Sequence, residues 1–167
     1  IRFLATAFGA NMTSAIILGI PAYIVAFIIL SVMGYVTLGT PMTFLIRILL
    51  FLICTILAIA LNDCINYICG IICFYTTAAW GLNQTKNVVI NFFSGVFIPL
   101  TFFPGVFGNI CRLLPFAGLT QNPVYILMGA ASMEQSLQFV VRNLIWWIVF
   151  EIFAKLLFQH ASKRVTV

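Results

Sequence analysis

Residues 91–129 read NFFSGVFIPLTFFPGVFGNICRLLPFAGLTQNPVYILMG, an apolar stretch that contains four of the protein's six prolines. Proline removes a backbone donor and clashes with the preceding turn, and glycine weakens a helix further, so no single helix can run through this stretch. In a membrane, broken backbone persists only where protein or a water-filled cavity shields it from lipid. The stretch therefore predicts short, packed helices and is a first indication of transport.

The composition of the whole chain predicts an all-α integral membrane protein. Of its 167 residues, 63% are apolar and 7% are charged, and the mean hydropathy is +1.18. That length can supply four or five spans of about 20 residues with short connections, which leaves no room for a soluble catalytic domain. The eight Lys and Arg residues are scattered, so the net charge of +5 does not indicate nucleic-acid binding. Five cysteines, an odd number, do not suggest a disulfide framework.

Two apolar segments form the first half of the predicted topology. Residues 12–38 carry no charge and stop before Gly39-Thr40-Pro41, as a membrane helix would. Residues 42–80 are about 58 Å long as one helix, which exceeds a hydrocarbon core of about 30 Å. They form either one long tilted helix or a hairpin that turns at residues 62–66. The single helix is favoured by a stripe of mostly small or polar residues that keeps helical phase: Thr55, Ala58, Asn62, Asn66, Cys69, Cys73, Thr76 and Trp80.

The second half is predicted to contain a short polar loop at 81–87, a span at 88–103, the broken segment at 104–130 and a last span at 138–159. The positive-inside rule places Lys86, Lys163 and Arg164 on the cytoplasmic side. It scores the single helix and the hairpin equally. With either, the broken segment lies on the outer side and the C-terminus in the cytoplasm of an inner or plasma membrane protein.

Intramembrane polar residues are candidates for function. Asp63, flanked by Asn62 and Asn66, lies midway along the longest apolar segment, where a carboxylate costs about 2.5 to 3.5 kcal/mol. It lies either on a substrate or proton path, in a buried contact between helices, or near an interface. Glu151 and Lys155 are four residues apart in the order that favours a helical ion pair, which is a structural pair or a coupling element.

An enzyme within this chain is not expected. His160 is the only histidine, and it lies at the end of the last predicted span. One chain therefore cannot build a paired-histidine metal site or a conventional Ser-His site. No metal site or catalytic residue is predicted.

The order of several short motifs resembles the permease subunit of a type-2 ABC transporter, an exporter class with six spans. The resemblance covers the whole chain and is most specific in its middle. It is carried by residues 70–75 (GIICFY), 80–82 (WGL), 93–100 (FSGVFIPL), 103–104 (FP), 114–116 (LPF) and 122–124 (NPV). The family's usual glycine pair at the tail is replaced here by VTV at 165–167.

The resemblance implies a fold of about four transmembrane helices with an outer re-entrant helical hairpin between the last two. In the family, two further spans precede the region that matches Ile1. It also implies that a gate is built from the serine, glycines, prolines and phenylalanine of the broken stretch. These are Ser94, Gly95, Pro99, Pro104, Pro115, Phe116 and Pro123.

The implied function is export driven by ATP. Two permease copies, identical or different, would form the pathway and pair with two cytoplasmic ATP-binding subunits, which hold the ATP and Mg²⁺. The chain has no Walker motif of its own. Asn83, Gln84 and Lys86 would face the ATPase. The alternative function is an ion-coupled carrier or channel in which Asp63 and the broken helices bind the solute, and a non-transporting scaffold is a third. The substrate is not specified by the sequence.

Overall fold

The computed structural model describes residues 13, 20–34, 41–73 and 79–165. Within these ranges the fold is helical, without a β-strand. The α-helices are α1 (Ile20–Val32), α2 (Pro41–Cys73), α3 (Ala79–Phe93), α4 (Gly105–Leu113), α5 (Gln121–Met128) and α6 (Met133–Val165). Short 3-10 helices occupy Leu100–Phe102 and Pro115–Gly118.

Helix α2 is the longest apolar element of the described structure. Its 33 residues run without interruption through 62–66, so the hairpin turn considered there is not formed. The predicted continuation over residues 74–78 lies outside the described residues. Among the described helices, α2 alone is long and apolar enough to cross a membrane by length and composition, with a mean hydropathy of 2.9 over its best window. Only 28% of that window is buried inside the protein.

The boundaries predicted for the next two elements are wrong. The predicted polar loop at 81–87 is helical, and the predicted helix at 88–103 ends at Phe93, so one helix, α3, replaces both. The amide and lysine side chains of the first half do not prevent a helix, because Gln and Lys are good helix formers. The helix ends because Gly95 adopts φ +83° and Pro99 follows.

The outer two predicted spans also differ in length from the helices observed. Helix α1 ends at Val32, six residues before the predicted end at 38. A left-handed Gly34 follows it. The remaining parts of the 12–38 prediction, apart from residue 13, lie outside the described residues. Helix α6 begins earlier and ends later than the predicted 138–159.

In the structure the broken segment begins at Ser94 rather than at 104 and extends to Gly129, and it is divided into short helices as its prolines predict. Pro99 and Pro104 stand directly before the first 3-10 helix and α4, and Pro115 begins the second 3-10 helix. These positions suit proline because the first N–H groups of a helix have no partner within it. The prolines therefore start the helical pieces rather than kink them.

The junction between α5 and α6 is a sharp turn with both ends capped. Gly129 takes a left-handed conformation, and the Ala130 N–H donates to the Tyr125 carbonyl at 3.1 Å, the pattern of a Schellman motif. Two residues later, the Gln135 N–H donates to Ser132 Oγ at 3.2 Å while the Ser132 N–H donates to Gln135 Oε1 at 3.0 Å. This reciprocal capping box fixes where α6 begins.

Helices α2 and α6 pack along each other and form the frame of the protein. One core cluster joins Leu50 and Cys54 of α2 to Ile126 of α5, with Phe139 and Val140 of α6 against it. A second cluster lies within the broken segment, where Leu100, Cys111 and Ala117 pack against Phe93 and Phe103. The broken segment is therefore packed both on itself and on the frame.

Candidate functional site

Asn143 of α6 connects the broken segment to the frame. It is 1% exposed, and its Nδ2 donates to the Gly118 carbonyl at 3.0 Å and to Cys54 Sγ of α2 at 3.3 Å. A side-chain amide has two N–H donors, so both are used here. One side chain thus joins α6, α2 and the second 3-10 helix.

The backbone at Gly118 lies directly against this asparagine. A Cβ atom at Gly118 would overlap Asn143 Oδ1, and it would approach Asn143 Cγ to 2.7 Å. Atoms closer than about 3 Å cannot coexist without a shift, and Asn143 is held by its hydrogen bonds. The close approach therefore requires glycine at 118.

Trp146, one turn further along α6, makes a second connection. Its indole Nε1–H donates to the Leu113 carbonyl, at the end of α4, at 2.9 Å. The last carbonyls of a helix have no partner within that helix, and in lipid an unsatisfied carbonyl costs several kcal/mol. We call Asn143 and Trp146, with the two carbonyls they bind, the α6 clamp.

The predicted gate residues lie along the broken segment, and the structure brings its two ends together. Ser94 is fully buried, and a Cβ atom on Gly95 would lie 2.8 Å from Gln121 Oε1 at the start of α5. Phe116 packs against Phe93 of α3 with ring centroids 5.9 Å apart. Contacts thus link the end of α3 to both the second 3-10 helix and α5.

The prolines among these residues are not equivalent in their surroundings. Pro115 and Pro123 are buried, whereas Pro99 and Pro104 are exposed. Pro123 is the third residue of α5, within the first turn, where its missing N–H costs no helical hydrogen bond. The buried pair, Pro115 and Pro123, fills space against the frame. The exposed pair, Pro99 and Pro104, separates the short helices.

The predicted intramembrane polar residues are divided between two places. Asp63 is buried in α2, and Asn62 beside it is half-buried. Cys64, the next residue, donates to Glu151 Oε2 of α6 at 3.4 Å, and Glu151 forms the predicted ion pair with Lys155 at 3.1 Å. The structure thus places an acid of α2 and an acid of α6 at one level of the frame.

Asn66 belongs to a different polar site. Its Oδ1 accepts a hydrogen bond from Lys86 Nζ of α3. Lys86 is one of the three residues predicted to face the ATPase. Asn83 and Gln84 are exposed on the same helix, and Lys86 is half-buried. These three residues lie on a helix and not on the predicted loop.

The α6 clamp is not among the sites predicted from the sequence. Asn143 is an amide within a mostly apolar segment, and such amides commonly form hydrogen bonds across helices in membranes. That property was the sequence feature from which its contact could have been expected. Tryptophan is a residue type that is enriched at membrane interfaces, but the indole of Trp146 is bonded to backbone. A tryptophan three residues after an asparagine places both side chains on one face of α6.

A comparison with family models matches residues 8–167 to the ABC-2 family transporter protein. The match covers nearly the whole chain. No curated protein and no solved structure matches it. The protein class is therefore a membrane permease component of a transporter. The chain belongs to the ABC-2 transporter family, in agreement with the resemblance carried by its motifs.

Proposed function

We propose that the chain is the transmembrane subunit of an ATP-driven exporter. It works as a dimer, identical or mixed, with cytoplasmic ATP-binding subunits that bind ATP and Mg²⁺. The substrate passes between the two permease copies. The pathway lies in an inner or plasma membrane, with the C-terminus in the cytoplasm.

The observation that carries the proposal is the α6 clamp on the broken segment. Family membership makes the chain a transporter component, and broken backbone in such proteins marks the pathway. The carbonyls of Leu113 and Gly118 are satisfied by side chains of α6 and not by their own helices. Hydrogen bonds of this kind can break and form again, as the movement of a gate requires.

In this proposal the broken segment is a re-entrant hairpin and forms the outer gate, with Ser94, Gly95 and Phe116 at its hinge. Closure of the ATP-binding subunits moves α3 through Asn83, Gln84 and Lys86. Helix α3 ends at Phe93, which packs on Phe116, so a movement of α3 reaches the gate through that contact.

The test is reconstitution with a partner. The full-length permease is copurified with its ATP-binding subunit and placed in vesicles, and efflux of candidate substrates is measured with ATP. We expect copurification and ATP-dependent efflux, and we expect the efflux to stop when the Walker lysine of the partner is replaced. The matched control replaces that lysine with alanine, which retains the complex but stops hydrolysis.

Efflux that continues with the Walker variant would contradict the proposal. It would favour the second candidate, an ion-coupled carrier or channel. That candidate is favoured by one observation: Cys64, the residue after the buried Asp63 in α2, donates to Glu151 of α6, so the two acids lie at the same level of these helices. Two neighbouring acids are a common arrangement for binding a proton or cation in a membrane.

Asp63→Asn separates the two functions. Asparagine has the size of aspartate but cannot carry a proton, so a carrier would lose most of its transport and its dependence on pH. For the ATP-driven exporter we expect transport within about twofold of the parent at every pH. Glu134→Gln, which removes an exposed acid at the start of α6, is the control for the change in charge.

A further inference from the structure

A polar groove lies between α2 and α3, apart from the broken segment. Its volume is about 460 Å³. The described residues that line it include a lysine and two asparagines but no carboxylate: Asn66, Cys69, Gly70, Cys73, Asn83 and Lys86. The lining thus carries one positive charge and several hydrogen-bond donors, which suits an anion.

Lys86 is held at this groove by its neighbour. Its Nζ donates to Asn66 Oδ1 across the two helices. An ammonium group has three N–H donors, so further donors remain for a ligand. Asn83, one turn earlier on α3, is exposed and adds amide N–H groups. Lysine and amide donors together are a common means of holding a phosphate.

The nearest acid in sequence does not enter the groove. Asp63 precedes Asn66 by three residues on α2, but it is 6% exposed and does not line the groove. Glu151 is paired with Lys155 of α6. The charge that a ligand meets in the groove is therefore that of Lys86.

Exposed apolar side chains are close in sequence to the lining residues on both helices. Ile72, beside the lining residue Cys73, is 39% exposed, and Trp80, near the start of α3, is 79% exposed. Val89, one turn after Lys86, is 38% exposed. Tryptophan is enriched where a membrane meets water, and basic pockets between membrane helices on the cytoplasmic side bind lipid headgroups. A polar groove with an apolar border fits a lipid better than a soluble anion.

We propose that this groove binds the phosphate of an anionic lipid headgroup. Lys86 and Asn83 donate to the phosphate oxygens, and the acyl chains lie against Ile72, Trp80 and Val89. Only the assignment of the leaflet, the cytoplasmic one, rests on the proposed topology. The bound lipid would contact both α2 and α3 and so hold these two helices together.

The test measures lipid retention directly. The full-length permease is purified in detergent and titrated with phosphatidylglycerol or phosphatidylcholine, and native mass spectrometry counts the bound lipid. We expect preferential binding of phosphatidylglycerol. Lys86→Gln should weaken this binding about fivefold, the effect of one basic side chain at a lipid surface, and Lys86→Arg should retain it.

Arg112→Gln is the matched control, because it removes one positive charge from an exposed site on α4 and should leave binding unchanged. Asn83→Leu alters a solvent-exposed side chain, so it tests the groove even if Lys86→Gln fails to fold. Thermal unfolding shows which variants are folded. Weaker binding by Asn83→Leu would support the proposal on its own.

Three results would overturn the proposal. The first is equal retention of the two lipids, or an equal loss in Lys86→Gln and Arg112→Gln. The second is displacement of phosphatidylglycerol by millimolar inorganic phosphate, which would identify a site for free phosphate. The third is unchanged lipid binding by Lys86→Gln. Because lipid is titrated without ATP or partner, its outcome is independent of whether export is ATP-driven.

Discussion

At the scale of single residues, Gly118 and Asn143 are packed so closely that a Cβ atom on the glycine would overlap the asparagine side chain. There is no room for a side chain at Gly118. Asn143 is held in place because its Nδ2 donates to the Gly118 carbonyl and to Cys54 Sγ. The pair therefore couples the fit of the second 3-10 helix to the conformation of one α6 side chain.

Gly118→Ala should lower the free energy of unfolding by about 1 to 3 kcal/mol, the usual cost of overpacking. Asn143→Ala creates space for the new methyl group, so Gly118→Ala should cost less in that background than in the parent. Thermal unfolding in detergent of the four proteins measures this coupling. Equal costs in both backgrounds would contradict the contact.

Replacement of Gly95 should also destabilise the protein. Its φ of +83° costs a non-glycine residue about 1 to 2 kcal/mol, and a methyl group there would also press on Gln121. Gly95→Ala should therefore lower the unfolding temperature and slow transport. Gly81→Ala, within α3 and with open space at its Cβ position, is the control. It should be neutral or stabilising, because alanine favours a helix over glycine by about 1 kcal/mol.

At the scale of elements, α6 positions the broken segment through side chains spaced one turn apart. Trp146→Phe retains the aromatic ring but removes the indole donor to Leu113. It should destabilise the protein by about 1 kcal/mol, the net worth of one such hydrogen bond. Trp147→Phe, the neighbouring tryptophan, is the control, and the unfolding temperature is the measurement. An equal effect of the two replacements would mean that ring size, and not the hydrogen bond, matters.

The elements also show which features a sequence can predict. Helix α2 was predicted as continuous because its small and polar residues keep phase across Asn62 and Asn66, and periodicity directly reports helical geometry. Helix α3 was divided wrongly, because the polarity of residues 83–87 suggested a loop. The polarity of a residue indicates whether it is exposed to solvent and not which backbone conformation it adopts. Residues 83–87 are helical and yet largely exposed.

The same distinction holds for the candidate site. Prolines at 99, 104 and 115 predicted where the broken segment is divided, since proline acts on its own backbone. Nothing local to Asn143 states that it binds Gly118, 25 residues earlier, because that contact depends on how α6 packs against α2. The location of the site could therefore be predicted, but its hydrogen bonds could not.

At the scale of the whole molecule, the proposed topology puts α4 outside and the first turns of α3 inside. In a variant without native cysteines, Arg112→Cys should react with a membrane-impermeant maleimide in intact cells. Gln84→Cys should react only after the cells are permeabilised. Both positions are exposed in the structure, so each should react in permeabilised cells as a control. Labelling of Gln84→Cys in intact cells would contradict the proposed topology.

The α6 clamp also bears on the order in which the protein is made. Leu113 and Gly118 are synthesised before Asn143 and Trp146, so their carbonyls lack these donors until α6 emerges from the ribosome. During that interval the nascent segment is better stabilised by the watery interior of the insertion machinery, or by a chaperone, than by lipid. We therefore expect ribosomes that stall before residue 143 to leave chains that membrane proteases degrade, because α6 is then not available to satisfy these carbonyls.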